Sequence, residues 1–291
     1  MKLHKVGKMS EWNEILKQYE ILGVESVIPI AHIRIRPDVR VLIDAYGNFI
    51  GATATKNERC SIPCTINSES RTSGIAPHPI HDNMSYVCGD YPQYKNRHTA
   101  YMEQLRKYIE SVDDPVAKST YQYLSKRTIR YDIKPVSEKL DTSEEKLMII
   151  FSVLTKEETH MLFNSRYRDE VVYAGLMDRG TISTQWRDYY ISTLEKNGIC
   201  GITGEPDYIP DKYPKGIRNP ADQTKLFMVT PKQLDGMPTI APGYIASQKI
   251  IHTLQFMIYE GDSWAYKILK DQEELPEEYK KWVKEYERKK A

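Results

Sequence analysis

The sequence predicts an α+β fold, with strands and a long functional loop in the N-terminal half and a helix-rich C-terminal half. The strand prediction rests on residues 30–36, which include a stretch of apolar and polar alternation, and on residues 39–45, which run into a turn. The helix prediction rests on residues 101–109, 250–258 and 279–286, where apolar side chains recur at helical spacing.

The chain opens with a predicted helix. Ser10 is a suitable N-cap, and Trp12, Ile15, Leu16 and Tyr19 follow it at i, i+3, i+4 and i+7 spacing. This spacing predicts an N-terminal helix with one apolar face.

The middle of the chain alternates between short predicted elements and one long connection. An Asp-Ala-Tyr-Gly-Asn turn at 44–48 leads to a third strand, whereas residues 56–96 are rich in Cys, Ser, Pro, Gly, Asn and Asp. A polar connection of that length inside a domain is more often functional than idle. Asp114 followed by Pro115 predicts a helix start, and the apolar run 147–153 predicts a buried strand.

The composition is that of an ordinary globular protein. The 291 residues include 41 Lys and Arg against 40 Asp and Glu, so the net charge of +1 argues against a polybasic nucleic-acid binder. No apolar run approaches the roughly 18 residues that a membrane span needs, and the 4 cysteines show no paired spacing. We expect a cytoplasmic protein with reduced thiols, without a membrane partner.

Residues that could bind a metal are few. The sequence contains no Walker-type phosphate loop, nucleophile elbow or His-Glu-x-x-His helix. Cys60, Cys64, His78 and His81 are the nearest approach to a zinc set, but the prolines that flank His78 exclude a helical zinc knuckle. His78, His81 and Asp82 would suit a hydrolytic metal, although no other carboxylate lies nearby in sequence. We expect no metal and no cofactor. The simpler interpretation of these residues is that the two cysteines are half-buried and the two histidines lie in a loop.

The segment 68–74 (Ser-Glu-Ser-Arg-Thr-Ser-Gly) combines hydroxyls, one guanidinium and a glycine in an irregular connection. Arg71 could reach a base edge or a phosphate in fork geometry, and the hydroxyls could bind either. From these residues alone, a solvated turn remains the simpler interpretation.

Five segments, taken in order, resemble a known family. They are residues 71–74 (Arg-Thr-Ser-Gly), 79–82 (Pro-Ile-His-Asp), 86–89 (Tyr-Val-Cys-Gly), 200–205 (Cys-Gly-Ile-Thr-Gly-Glu) and 214–218 (Pro-Lys-Gly-Ile-Arg). Together they are similar to the large subunit of type I-C CRISPR surveillance complexes.

The resemblance implies a subunit without a catalytic centre, and therefore not an enzyme. Such a subunit anchors near the 5′ end of the CRISPR RNA, beside the subunit that grips the RNA handle. It checks the protospacer-adjacent motif of invading duplex DNA and starts strand separation, while base pairing reads the remaining sequence. The implied partners are the crRNA-bound backbone subunits, target double-stranded DNA and a helicase-nuclease recruited later.

The resemblance also implies a set of DNA contacts. We expect the loop to donate hydrogen bonds to bases or phosphates of the tag, and a basic pair behind it to neutralise phosphates. By the matched positions, the candidate DNA contacts are Ser70, Arg71, Thr72, Ser73, Lys95 and Arg97.

Two domains follow from this interpretation. Residues 1–150 would form an N-terminal α+β region that interrogates DNA, and residues 151–291 a helix-rich region with the Cys-x-x-Thr-Gly-Glu segment. One continuous domain is the alternative.

The chain also departs from the family. Residues 226–230 read Leu-Phe-Met-Val-Thr where the family usually has Leu-x-Ser-Phe-Asn, and family members usually continue into a further helical region. The chain is accordingly interpreted as a fragment, one part of a split subunit, or a truncated homologue. Two rival functions remain open: a mimic that joins the complex and inhibits interference, and a metal-dependent hydrolase.

Overall fold

The computed structural model describes residues 9–23, 26–55, 58–71, 73–164, 166–177, 180–215, 217, 226–227, 241–262 and 277–290. The strands of these residues are β1 His32–Ile35, β2 Val39–Ile43, β3 Phe49–Ala54, β4 Cys60–Pro63, β5 Asp82–Asn83, β6 Met148–Val153, β7 Gly198–Ile199 and β8 Pro206–Asp207. The α-helices are α1 Met9–Leu22, α2 Ile66–Glu69, α3 Met84–Val87, α4 Lys95–Ser111, α5 Pro115–Ser125, α6 Ile129–Ser137, α7 Lys156–Met161, α8 Arg168–Met177, α9 Thr184–Thr193, α10 Tyr244–Tyr259 and α11 Glu277–Lys290.

The chain divides into two compact units. The central unit is Pro29–Lys196, and the terminal unit combines Met1–Ile28 with Asn197–Ala291. The predicted boundary at residue 150 falls inside β6, a strand of the main sheet of the central unit. The units therefore divide the chain differently from the expected 1–150 and 151–291, because the N-terminal helix belongs with the C-terminal segment.

A four-stranded mixed sheet organises the central unit. Its order is β3-β2-β6-β5, with β2 parallel to β6 and the two outer pairings antiparallel. Every residue of β2 is buried, and α5, α6 and α8 pack against the sheet. Burial along the whole length of β2 is expected of a central strand.

The β2–β3 hairpin depends on its turn residues. The Asp44 carboxylate accepts hydrogen bonds from the backbone N–H groups of Tyr46 and Asn48, both at 2.8 Å. Gly47 adopts φ +70°, and a Cβ at this position would lie 2.7 Å from the carbonyl oxygen of Ser119. A side chain at residue 47 would therefore strain the backbone and collide with α5.

An aromatic cluster joins α4 and α9 in the central unit. Trp186 is buried, with ring centroids of Tyr108, Tyr189 and Tyr190 within 5.1–5.6 Å. Its indole N–H donates to the carbonyl of Cys64 at 3.1 Å, which ties the cluster to the chain following β4.

The terminal unit has its own core between α1 and α10. Buried residues from the 200–213 segment and α10 form it, and partly buried side chains of α1 pack against it. Trp12 of α1 meets Phe227 with ring centroids 5.5 Å apart. The apolar face predicted for the first helix is therefore the face that is covered.

The predicted α+β class is confirmed, and so are the strands at 39–45 and 147–153. Asp114 caps α5, accepting from the Ala117 N–H at 3.1 Å. Within 56–96 the structure contains β4, α2, β5 and α3, which are two to four residues long and too short for periodicity to reveal. The segment 226–230 lies largely outside the described residues.

None of the helices in the described part of the chain has the length and apolar character to cross a bilayer.

Candidate nucleic-acid interface

The segment that holds the predicted DNA contacts begins with a short, firmly capped helix. At the start of α2, the hydroxyl of Thr65 accepts from the N–H of Ser68, and the hydroxyl of Ser68 accepts from the N–H of Thr65. The Ile66 N–H donates to the Tyr190 hydroxyl at 2.9 Å. This reciprocal capping satisfies amide groups that the helix cannot pair internally, and it fixes the position from which the chain leaves toward residue 71.

Arg71 forms a two-pronged ion pair with Asp82. Its Nη1 and Nη2 each donate to a different carboxylate oxygen at 2.8 Å, and Nη1 also donates to the carbonyl of Ala76 at 2.9 Å. The Asp82 side chain is fully buried and that of Arg71 is 15% exposed. The fork that was predicted to contact a base edge or a phosphate is therefore occupied by a carboxylate, and either contact would require Arg71 to leave Asp82.

Asp82 is saturated with donors. Besides Arg71, its carboxylate accepts from the backbone N–H groups of His78 and Asn83, each at 2.7 Å. Burial alone would lower the pKa of Arg71, but the hydrogen bonds and charge of Asp82 reverse this and raise it. The ion pair joins the 71–78 loop to β5.

Tyr86 supports the same loop from below. The Arg71 guanidinium lies 4.4 Å from its ring centroid, and the Arg97 guanidinium lies 5.4 Å from it. The Tyr86 hydroxyl accepts from the N–H of Ala76 at 3.3 Å and donates to the carbonyl of Gly74 at 3.5 Å. The ring of Tyr86 therefore contacts both arginines of the predicted set, and its hydroxyl contacts the loop at Gly74 and Ala76.

The tip of the loop is exposed. Ser73, Gly74 and Ile75 are open to solvent, and Gly74 adopts φ +79° with space around its Cα. Ser70 is half-buried at the end of α2, and the predicted contact Thr72 lies outside the described residues. The groups presented outward are thus hydroxyls and backbone amides, while the guanidinium sits behind them.

Lys95 and Arg97 lie at the start of α4. Lys95 is exposed, whereas Arg97 is half-buried, donates to the Ser85 hydroxyl at 3.0 Å and lies 4.8 Å from the Tyr94 ring centroid. Arg97 and Arg71 share the Tyr86 ring, so the structure brings these two predicted residues together. Tyr94 is half-buried beside them.

The metal candidates are buried or half-buried, and burial shifts their pKa values. Burial raises the pKa of the Cys60 thiol to about 11 and also raises that of Cys64, which opposes the thiolate form that zinc requires. Burial lowers the pKa of His78 to about 4 and that of His81 to about 3. Within the described ranges, no group of three or more His, Cys, Asp or Glu side chains is arranged to hold a metal ion.

Two residues of this interface were not selected from the sequence. From the sequence, Asp82 is a metal candidate and the end of a family-like segment, and Tyr86 begins another family-like segment. No helix or strand periodicity links these two residues to Arg71, so only the family resemblance placed them in the same region of the sequence. The pairing arises from the way β5 returns the chain beside the loop.

A comparison with protein families identifies the chain. The model of the family described as CRISPR-associated protein (Cas_Csd1) matches residues 15–229, which include the Arg71 loop, Asp82, Tyr86 and the start of α4. None of the curated proteins searched matches the chain. Because the match covers more than half of its length, the chain belongs to the Csd1 family of CRISPR-associated proteins.

Proposed function

We propose that this chain is the DNA-reading large subunit of a type I-C, crRNA-guided surveillance complex. The family match over residues 15–229 carries the proposal. In this role the protein joins crRNA-bound backbone subunits in the cytoplasm, checks the protospacer-adjacent motif of duplex DNA and helps to start unwinding. Base pairing with the guide then reads the rest of the target.

The exposed loop tip is the proposed reading element. Ser73 offers a hydroxyl that donates or accepts, and the backbone amides at Ser73 and Gly74 can approach a strand closely because Gly74 has no side chain. Arg71 serves as a positioning residue: its ion pair with Asp82 and its contact with Tyr86 hold the tip in place.

The start of α4 is the proposed phosphate-binding element. Lys95 is free to move in solvent and to neutralise a phosphate, and Arg97 stands on the Tyr86 and Tyr94 rings with part of its surface exposed. A net charge of +1 gives little unaided affinity for DNA, so these contacts would act within the assembled complex.

No chemical step is assigned to this chain. Asp82, the carboxylate of the hydrolase hypothesis, accepts four hydrogen bonds, two of them from a guanidinium, so a metal ion would have to displace a buried cation. Strand cleavage in this proposal belongs to the helicase-nuclease recruited later.

Co-purification with crRNA-bound type I-C backbone subunits, followed by titration with tagged and untagged duplexes, tests the proposal. We expect assembly, and a complex that binds tagged duplex more tightly than untagged duplex. Assembly with loss of duplex binding would instead indicate an inhibitory mimic. Failure to assemble would overturn the proposal.

A further inference from the structure

A cleft of about 510 Å³ opens in the central unit, and none of the candidate DNA contacts lines it. His81, Phe151 and Ser152 contribute to its wall, and Asp114, Gly180 and Ile182 lie along the same cleft. Its volume falls in the range of about 300–1,000 Å³ that small-molecule sites occupy.

The backbone next to His81 is strained. Ile80 adopts φ +64°, a left-handed conformation that is unfavourable for a β-branched residue, and its side chain is buried. The buried Tyr101 hydroxyl donates to the Ile80 carbonyl at 2.6 Å and holds this conformation. Strain of this kind persists where surrounding contacts over-determine it, often at binding sites, and here it fixes the direction of the following residue, His81.

The His81 ring retains one unused donor. Its Nδ1 accepts from the backbone N–H of Phe151 at 3.2 Å, so the proton of the neutral ring is on Nε2. Burial lowers the pKa of His81 to about 3, with the charges of Arg40 and His32 acting in the same direction, which keeps the ring neutral. The side chain is 2% exposed, and Nε2 has no hydrogen-bond partner among the described residues.

Ser152 adds a second donor to the same cleft. Its hydroxyl oxygen accepts from Nη1 of the buried Arg40 at 2.8 Å, which leaves the hydroxyl hydrogen available. Two other hydroxyls along the cleft are committed: Thr181 donates to the Ser61 carbonyl, and Ser183 donates to Asp114. His81 Nε2 and the Ser152 hydroxyl are thus two buried donors without acceptors that line one cleft.

We propose that this cleft binds a nucleobase that carries a ring carbonyl next to a ring N–H, as thymine, uracil and guanine do. The carbonyl would accept from His81 Nε2 and the Ser152 hydroxyl, and the ring N–H would donate to the Asp114 side of the cleft. Val116 and Ile182 line the cleft with exposed side chains and supply apolar surface for a planar ring. The Asp114 carboxylate disfavours a phosphate or another anion as the bound group.

Free nucleosides and unpaired bases in a strand both present a ring carbonyl next to a ring N–H. The full chain can therefore be titrated with a nucleoside and with a short oligonucleotide. We expect thymidine to perturb the amide NMR signals of residues around His81 and Ser152, whereas deoxyadenosine, which lacks a ring carbonyl, does not. A short oligothymidylate that binds more tightly than thymidine would identify a strand as the source, and equal affinity would identify the free nucleoside.

Two variants and one control complete the test. Ser152→Ala should weaken thymidine binding by about 2- to 10-fold. Gly180→Leu should abolish it, because Gly180 lines the cleft and the added side chain would occupy space that the base needs. Tyr131→Phe, at a side chain that is 82% exposed and outside the cleft, should leave it unchanged. No response of the folded wild type to thymidine, or equal responses to thymidine and deoxyadenosine, would overturn the proposal. Because no crRNA complex is involved, either result is independent of the proposed tag reading.

Discussion

Asp82 and His81 are neighbours in sequence, yet the Arg71 loop and the cleft use them in opposite ways. The Asp82 carboxylate accepts four hydrogen bonds and has no capacity left for a ligand. The His81 ring accepts one and keeps a donor without an acceptor. A buried polar residue thus supports the fold when all of its hydrogen bonds are made within the protein. It is a candidate for ligand binding when one of its donors or acceptors has no partner.

Acidification should have the largest effect on both regions. His32, His78 and His81 are buried with pKa values lowered to about 4, 4 and 3, mainly by burial. Below pH 6.5 the unfolded chain binds protons that the folded chain does not, so stability falls as the pH falls and levels off near those values. Between pH 7 and 5 we expect a loss of about 2 kcal/mol for each histidine.

Urea unfolding at pH 7 and pH 5 measures this loss. His78→Phe should make the pH dependence shallower, because it removes one of the three groups. Equal stability at the two pH values would show that the buried histidines are not held neutral.

Asp82→Ala should be the most destabilising single change in the Arg71 loop. It leaves a buried guanidinium without its partner and removes four accepted hydrogen bonds, at a cost of about 3–5 kcal/mol. Asp90→Ala, at an exposed position, is the matched control and should change the free energy of unfolding by less than about 0.5 kcal/mol. A similar free energy for both variants in urea unfolding would refute the structural role of Asp82.

Arg71→Ala should weaken binding of tagged duplex by the assembled complex by about 1–3 kcal/mol. Asp82→Asn separates the two possible causes. If Arg71 positions the loop, this variant weakens binding as well; if Arg71 leaves Asp82 to read a base, binding is kept or improved.

Lys95→Ala is the control for that titration. If Lys95 contacts a phosphate, this substitution should weaken the binding of tagged and untagged duplexes alike. It should also reduce the salt dependence of binding by about one charge. A loss confined to tagged duplex would assign base reading to Lys95 instead.

Tyr86→Phe should have the smallest effect. It removes the hydrogen bonds to Gly74 and Ala76 but keeps the ring under both arginines, so we expect a loss of about 0.5–1.5 kcal/mol in urea unfolding. Tyr131→Phe, whose side chain is 82% exposed, should cost almost nothing. Equal effects would mean that the hydroxyl of Tyr86 does not brace the loop.

Local sequence pattern determined a large part of the fold. The capped start of α5, the β2–β3 hairpin with its Asp44 turn and the apolar strand β6 were all predictable, because caps, turns and buried runs depend on residues close together in the chain. The resemblance carried by short motifs pointed to the family that the comparison then established.

Only the tertiary structure decided which side chains meet. No local pattern shows that the Arg71 guanidinium binds the Asp82 carboxylate. Asp82 reaches its position because β5 pairs with β6. Nor does any pattern show that the N-terminal helix α1 packs on α10, more than 200 residues away in sequence. Secondary structure follows from nearby residues, whereas ion pairs, clefts and unit boundaries depend on contacts between distant segments, and those exist only once the chain has folded.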